Sequence, residues 1–295
     1  KDTKSTMLGA GAKIYETIQN KYKSNKKNVL KKISCFISTG SPLSPDTFKF
    51  INKYLNSQSF IHSVSGGTDI VSCFMLGIPT LPVYSGEIQG PGLGMNIDVY
   101  NEKGKSTKKT GELVCKTPFP SKPIYFWNDK LHRKYKSAYF EKFPNIWAHG
   151  DYVKKTNNGG YVIFGRSDAT LNPGGVRIGT GEIYNSLQKF HWIEDCLATG
   201  YMTENDEKIV LFLKLSNAKI NIDFRSVLKK HLKASLSPRH VPWKVFVVKD
   251  IPRTKSGKNS EILVKKIINN DKVQNLGSLA NPESVNEYRM ININE

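Results

Sequence analysis

Apolar residues along the chain fall into short runs and stripes, separated by clusters of Gly, Pro, Ser and Asn. Met7, Ile14 and Ile18 recur at helical spacing, which predicts a helix over 5–23. The run 33–37 is compact and apolar and ends in Ser38-Thr39-Gly40-Ser41-Pro42, the pattern of a strand followed by a turn. Ser44-Pro45-Asp46 reads as a helix start, with Phe48, Ile51 and Leu55 on one face. A second strand over 60–64 runs into Ser65-Gly66-Gly67-Thr68-Asp69, and 79–94 is rich in Gly and Pro. Segments 96–100, 112–116 and 161–164 read as antiparallel strands, with turns at 101–104 and 157–160.

The rhythm changes after Arg166. A helix over 181–189, a strand over 209–215, a helix over 224–235, a strand over 244–248 and a helix over 261–268 alternate compactly. This predicts a mixed α/β and α+β protein whose boundary lies at 166–169. Residues 1–166 form one part, 167–270 a small α+β domain, and 271–295 a polar, weakly patterned tail packed on the surface.

Charge adds a constraint. The 295 residues carry 37 Lys and 7 Arg against 25 acidic residues, a net charge of +19. Most of that excess reads as a solvated basic surface; its functional reading is an anionic ligand such as a nucleotide or coenzyme A. No arginine-and-aromatic reader motif for nucleic acid is present. The longest apolar runs fall well short of the roughly 18 residues a membrane helix needs. Four cysteines without a C-x-x-C pair and six scattered histidines argue against a zinc site, and point to reduced thiols in a cytoplasmic protein. A chain that begins at Lys1 is expected to be a piece of something longer.

Four polar, Gly-rich segments carry candidate chemistry. In Ser65–Asp69, small residues let backbone N–H groups approach phosphate oxygens, and the carboxylate can meet magnesium. In His149-Gly150-Asp151, the carboxylate can accept both hydroxyls of a ribose. Segment 165–183 holds five Gly and two Arg in 19 residues before opening a helix. Its guanidinium groups suit phosphate or ribose oxygens. Pro252-Arg253-Thr254-Lys255-Ser256-Gly257-Lys258 ends on a lysine but is not a Walker loop, because Pro252 stands where the first Gly belongs and Asn259 follows Lys258.

In this order the four segments resemble the AMP-forming adenylate ligases, the superfamily of acyl-CoA synthetases, luciferases and peptide-synthetase adenylation domains. Within it the stretches 38–45, 65–75, 81–95, 126–130, 146–152, 165–179, 239–242 and 281–289 are most similar to the acetoacetate–CoA ligases. The resemblance covers essentially the whole chain. It implies the C-terminal part of the large adenylate-forming domain, with sheets, helices and a small β-barrel-like portion, followed by the mobile C-terminal α+β domain. No segment matches the family's upstream phosphate-gripping loop, so the chain alone is expected to be inactive.

The resemblance also implies roles. Gly40, Ser41 and Pro42 border adenine, and Thr68 contacts the α-phosphate. Asp69 stands where the family usually has Glu for Mg²⁺. Asp151 holds the ribose with help from Arg166, and Asp168 is the hinge. Gly175 lines the pantetheine channel of coenzyme A, and Arg177 approaches a phosphate in the thioester-forming state. Lys258 is the adenylation lysine. Ser65, Gly66 and Gly67 line the acid pocket, with the absence of a side chain at 66 making room for an acid longer than acetate. The implied reaction joins acetoacetate to coenzyme A with ATP, in ketone-body and lipid metabolism. A ligase for another short acid, or a non-catalytic nucleotide- or CoA-binding module, are the competing readings.

Overall fold

The protein is described here by a computed structural model that covers residues 4–204, 206–216, 223–273 and 276–293; Lys1 lies outside the described residues. Its backbone divides into two units, Lys1–Ile163 and Phe164–Glu295.

In the first unit, Met7–Gly11 is strand β1, and helix α1 occupies Ala12–Lys21. The helix predicted over 5–23 therefore starts too early. Gly9 and Gly11 are poor helix formers, and this stretch instead pairs in parallel with β2 (Cys35–Thr39), Met7 opposite Cys35 and Gly11 opposite Thr39. Helix α2 (Pro45–Phe50) is capped by Ser44, whose hydroxyl accepts the Thr47 N–H at 3.2 Å, and continues as a π-helical turn over Ile51–Leu55. β3 (Phe60–Ser63) pairs with the other side of β2, giving a parallel sheet in the order β1-β2-β3. The helices cover one face of it, where Tyr15, Phe36, Phe48 and Ile51 are buried. On the other face Met7 and Phe60, both in register with Cys35, are 55% and 45% exposed.

β4 (Ser65–Gly67), β5 (Ser72–Leu76) and β6 (Gly90–Pro91) make a small antiparallel sheet. A second sheet has the order β10-β9-β8-β7, from β7 (Ile97–Tyr100), β8 (Gly111–Cys115), β9 (Trp147–Lys155) and β10 (Tyr161–Arg166). Helix α3 (Arg133–Tyr139) lies between β8 and β9 in sequence and packs its aromatic face on Trp147, with the Tyr139 ring stacked at 3.7 Å. Phe74, Leu113, Phe119 and Trp147 form the core here. Both sheets are open; the β-barrel-like portion that the resemblance implied is not a closed barrel.

The second unit is a sheet with helices on both faces. α4 (Thr180–Leu187) precedes β11 (Ile193–Met202) and β12 (Glu207–Leu215), which pair antiparallel; α5 (Phe224–Ser235) then carries the chain across to β13 (Lys244–Val247), parallel to β12. Alternation sorts the side chains. Ala198, Leu211 and Leu213 face α4 and α5, while Leu197, Val210 and Phe212 face α6 (Glu261–Ile268) and α7 (Val285–Met290). Segment 271–295 reads from the sequence as a tail packed on the surface. Its described residues instead complete the second face: Val285 and Tyr288 are each 1% exposed, and the Tyr288 hydroxyl donates to the Asp250 carbonyl at 3.1 Å. Among the described residues no helix is long and apolar enough to cross a membrane.

Candidate functional site

The expected site residues fall in both units. In the first, two Gly-rich segments leave the carboxyl ends of neighbouring parallel strands, β2 and β3, where Ser38 is in register with Ser63. Ligands of open α/β sheets characteristically meet the chain at such ends. Gly40 turns with φ +87°, a left-handed conformation natural to glycine, and is followed by exposed Ser41 and half-buried Pro42.

Ser65, Gly66, Gly67 and Asp151 come together. The Ser65 hydroxyl donates to Asp151 Oδ2 at 3.2 Å, although the two lie 86 residues apart. His149 sits between the segments: its Nε2 is 3.3 Å from the Gly66 carbonyl oxygen and 3.8 Å from Asp151 Oδ2, and its ring meets Phe74 edge-on at 4.7 Å. A Cβ at Gly67 would lie 3.0 Å from His149 Cε1. At Gly66 a Cβ would lie 2.0 Å from the Ser72 carbonyl oxygen, where β4 bulges against β5. Backbone crowding thus leaves no room for a side chain at 66 in this conformation.

Asp151 is carried by a kinked strand. Gly150 has φ +83°, and its N–H donates to buried Glu112 Oε1 at 2.6 Å, while Lys142 Nζ reaches the other oxygen of Glu112 at 2.6 Å. One carboxylate thus holds the bend that presents Asp151. Thr68 and Asp69 are exposed on the turn after β4, and Asp69 Oδ2 accepts a hydrogen bond from the Tyr139 hydroxyl, whose ring is fixed on Trp147. Among the described residues no three His, Cys, Asp or Glu side chains gather to hold a metal by themselves. A lone exposed carboxylate suits Mg²⁺, which keeps much of its water and takes the rest of its shell from phosphates.

In the second unit Arg166 Nε lies 3.6 Å from Asp168 Oδ1, both about half exposed. Segment 171–178 is a loop closed by reciprocal Leu171–Ile178 backbone bonds of 2.9 and 2.8 Å. Its tip is a 3₁₀ turn, Pro173–Gly175, in which Gly175 has φ +75° and open space around it; Arg177 is exposed just beyond. Arg239 braces the loop, donating to the carbonyls of Pro173 and Gly174 at 3.2 and 3.1 Å, and Asp206 accepts the Gly174 N–H at 2.8 Å.

Lys258 closes a tight loop. Thr254 N–H donates to the Lys258 carbonyl at 2.9 Å, and Lys258 N–H returns to Thr254 Oγ1 at 3.1 Å. Arg253 is its clamp, binding Asp195 through Nε at 3.0 Å and through Nη2, and the Gly257 carbonyl through Nη1 at 2.6 Å. The Lys258 side chain is exposed and makes no ion pair among the described residues. The arrangement suits delivery of a point charge rather than a structural salt bridge.

Sequence reasoning missed Glu112 and Tyr139, and it named His149 within its segment without giving it a role. Glu112 had one signal: a carboxylate inside the otherwise apolar run 111–115. Burying such a group is costly unless it is paired, so its presence there is informative.

No protein-family model matches the chain. An acetoacetyl-CoA synthetase from Streptomyces lividans superposes on it with a TM-score of 0.86 at 35% identity, covering 97% of this chain and 45% of that one. A benzoate CoA ligase from Burkholderia xenovorans LB400 (TM-score 0.73, 21% identity, 90% and 52% covered) shares the fold. With the ordered motifs on these elements, the chain matches the C-terminal region of the adenylate-forming superfamily. Within that superfamily it is homologous to the acetoacetyl-CoA synthetases over nearly its whole length. It is 45% identical to the relative from Rhizobium meliloti (strain 1021) over 285 residues, and 44% identical to that from Xenopus tropicalis over 291. It spans less than half the length of these relatives, 44% and 43%.

Proposed function

We propose that the protein containing this segment ligates acetoacetate to coenzyme A through acetoacetyl-AMP. The carrying observation is identity of 40–45% with acetoacetyl-CoA synthetases across 96–97% of the chain, with all four motif segments included.

In the first step an acetoacetate carboxylate oxygen attacks the α-phosphorus of ATP and pyrophosphate leaves. In the second the CoA thiolate attacks the acyl carbon and AMP leaves. Asp151, oriented by Ser65 and by the Glu112-held bend, accepts the ribose hydroxyls with help from Arg166. Gly40, Ser41 and Pro42 border adenine. Thr68 meets the α-phosphate, and Asp69 would hold Mg²⁺, which neutralises phosphate charge when bound. Lys258 supplies positive charge where negative charge develops on the α-phosphorus, an electrostatic contribution. The Lys258 loop and the Gly175–Arg177 loop serve different steps, so Asp168 acts as the pivot that exchanges them. Gly175 lines the pantetheine path and Arg177 approaches a phosphate in the second step. Ser65, Gly66 and Gly67 border the acid.

The test is acid-dependent ATP–pyrophosphate exchange by the complete reading frame, with acetoacetate, acetate, 3-hydroxybutyrate and butyrate. Strongest exchange with acetoacetate is expected. Exchange with another acid overturns the substrate, and none from folded protein favours a binding module. Lys258→Ala should cripple exchange yet leave thioester formation from pre-made acyl-AMP largely intact. The 295-residue chain alone is expected to release no pyrophosphate.

A further inference from the structure

The base of the Lys258 loop is stapled along β11, rung by rung. Asp195 binds Arg253; the Cys196 carbonyl accepts from Asn259 Nδ2 at 3.0 Å; and Thr199 Oγ1 donates to the Glu261 carbonyl at 3.4 Å. One rung is made through a third element. The Ala198 N–H donates to the Tyr184 hydroxyl at 3.1 Å, and that hydroxyl donates to Glu261 Oε1 at 3.1 Å. A phenol has one proton, and here it goes to Glu261. Glu261 is the first residue of α6 and stands three positions after Lys258. Its carboxylate therefore ties the start of that helix, and the end of the loop, to α4 and β11.

We propose that Glu261 is a positioning residue for Lys258, and that gain or loss of its proton shifts the loop that carries the lysine. This rests on the reading of Lys258 as the adenylation lysine. The groups facing Glu261 are Tyr184 from α4, Thr199 from β11, Arg253, Asn259 and Ser260 from the loop, and Asp168 from the hinge turn, with Cys196 of β11 beside Tyr184. Arg253 pairs with Asp195 and acts on the Glu261 carboxylate through its charge alone, while Asp168 opposes it; among the described residues no cation forms an ion pair with Glu261. Burial is the largest influence and pushes it up to about 7; a bond from its own backbone N–H, the Tyr184 bond and the Arg253 charge oppose the rise, and Asp168 adds to it. The surroundings also have spare polar capacity. Asn259 Oδ1 and Ser260 Oγ are buried without a hydrogen-bond partner, and Ser260, at the N-cap of α6, makes no side-chain cap bond. Buried polar atoms left unpaired are costly. A neutral Glu261 no longer requires the Tyr184 proton and carries an O–H of its own, so protonation adds a donor to a cluster in which the Asn259 Oδ1 acceptor is unpaired.

The experiment follows the backbone amides of Gly257 and Lys258, and the ¹³C-labelled Glu carboxyl carbons, by NMR of the 295-residue chain from pH 5 to 9. Glu261 is assigned by the signal that Glu261→Gln removes. The expected result is a Lys258 amide that titrates with the Glu261 midpoint near 7. In Glu261→Gln that titration disappears, and in Tyr184→Phe the midpoint moves upward because a donor to the carboxylate is gone. With a merely structural contact the Glu261 carboxyl still titrates and still shifts in Tyr184→Phe, but the Lys258 amide does not follow it. A Lys258 amide that is silent through the Glu261 transition overturns the proposal, as does titration that persists in Glu261→Gln. If the coupling is found but Lys258→Ala retains full exchange in the complete protein, the adenylation reading fails and the positioning role falls with it, while the measured linkage stands.

Discussion

Glu112→Ala tests the claim that one buried carboxylate shapes the nucleotide side of the site. The side chain is 2% exposed and serves two partners at 2.6 Å, the Gly150 N–H and Lys142 Nζ. Losing a hydrogen bond to a charged group costs about 1.5–3 kcal/mol, and an amide left buried and unpaired adds roughly 1–3. Lys142 is 40% exposed and returns to water, so its share is on the order of 0–1 kcal/mol. The sum places destabilisation of the first unit at about 3–5 kcal/mol, since these contributions overlap. Glu112→Gln keeps an acceptor for Gly150 and should cost about half as much. Urea unfolding read at buried Trp147, with the other three tryptophans replaced by Phe, measures this unit separately from the second. In the complete protein both variants should weaken AMP binding, because Asp151 follows the released bend. Glu112→Ala within about 0.5 kcal/mol of wild type, the range of an ordinary surface change, would refute the reasoning.

Gly66→Ala should destabilise the first unit by several kcal/mol on the order of a severe core overpacking, because its Cβ would fall 2.0 Å from a backbone oxygen; a silent substitution in thermal melts would mean that the bulge yields easily. Tyr288→Ala should cost about 3–5 kcal/mol in the second unit by urea titration, as for other large core truncations, whereas a true surface tail would lose almost nothing. Glu261 sits above its ordinary 4.5, at about 7, so its contribution is fully present below pH 4.5 and is lost as pH rises through 7. Glu261→Gln should therefore gain on wild type by up to roughly 3 kcal/mol between pH 4.5 and 8, compared by stability curves at each pH; a difference that stays constant across that range would remove the assigned shift.

Motifs were more legible than their supports. Arg253, Gly257 and Lys258 announced themselves by type and order, and helix α6 was bounded from sequence as it is found. The strand that carries Asp151 was not. Residues Trp147–Val153 are buried or half-buried without alternation, because both neighbours of β9 are strands and both its faces are covered, so period-two reasoning had nothing to detect. β1 hid behind Gly9 and Gly11, whose partners lie 28 residues on. The segment around Tyr288 looked polar because only a few of its side chains face the core. Glu112, His149 and Glu261 gain meaning from partners tens of residues away, which composition cannot encode. Tyr184 and Glu261, for example, are separated by 77 positions.

The parallel sheet β1-β2-β3 has helices on one side and Met7, Cys35 and Phe60 laid in a row on the other. Parallel sheets are almost always covered on both faces. The stability of the first unit is therefore open to outside influence at this face, because anything that binds it when folded and not the unfolded chain raises that stability by mass action. A ligand for that row would raise the melting temperature of the first unit with the logarithm of its concentration and without a plateau.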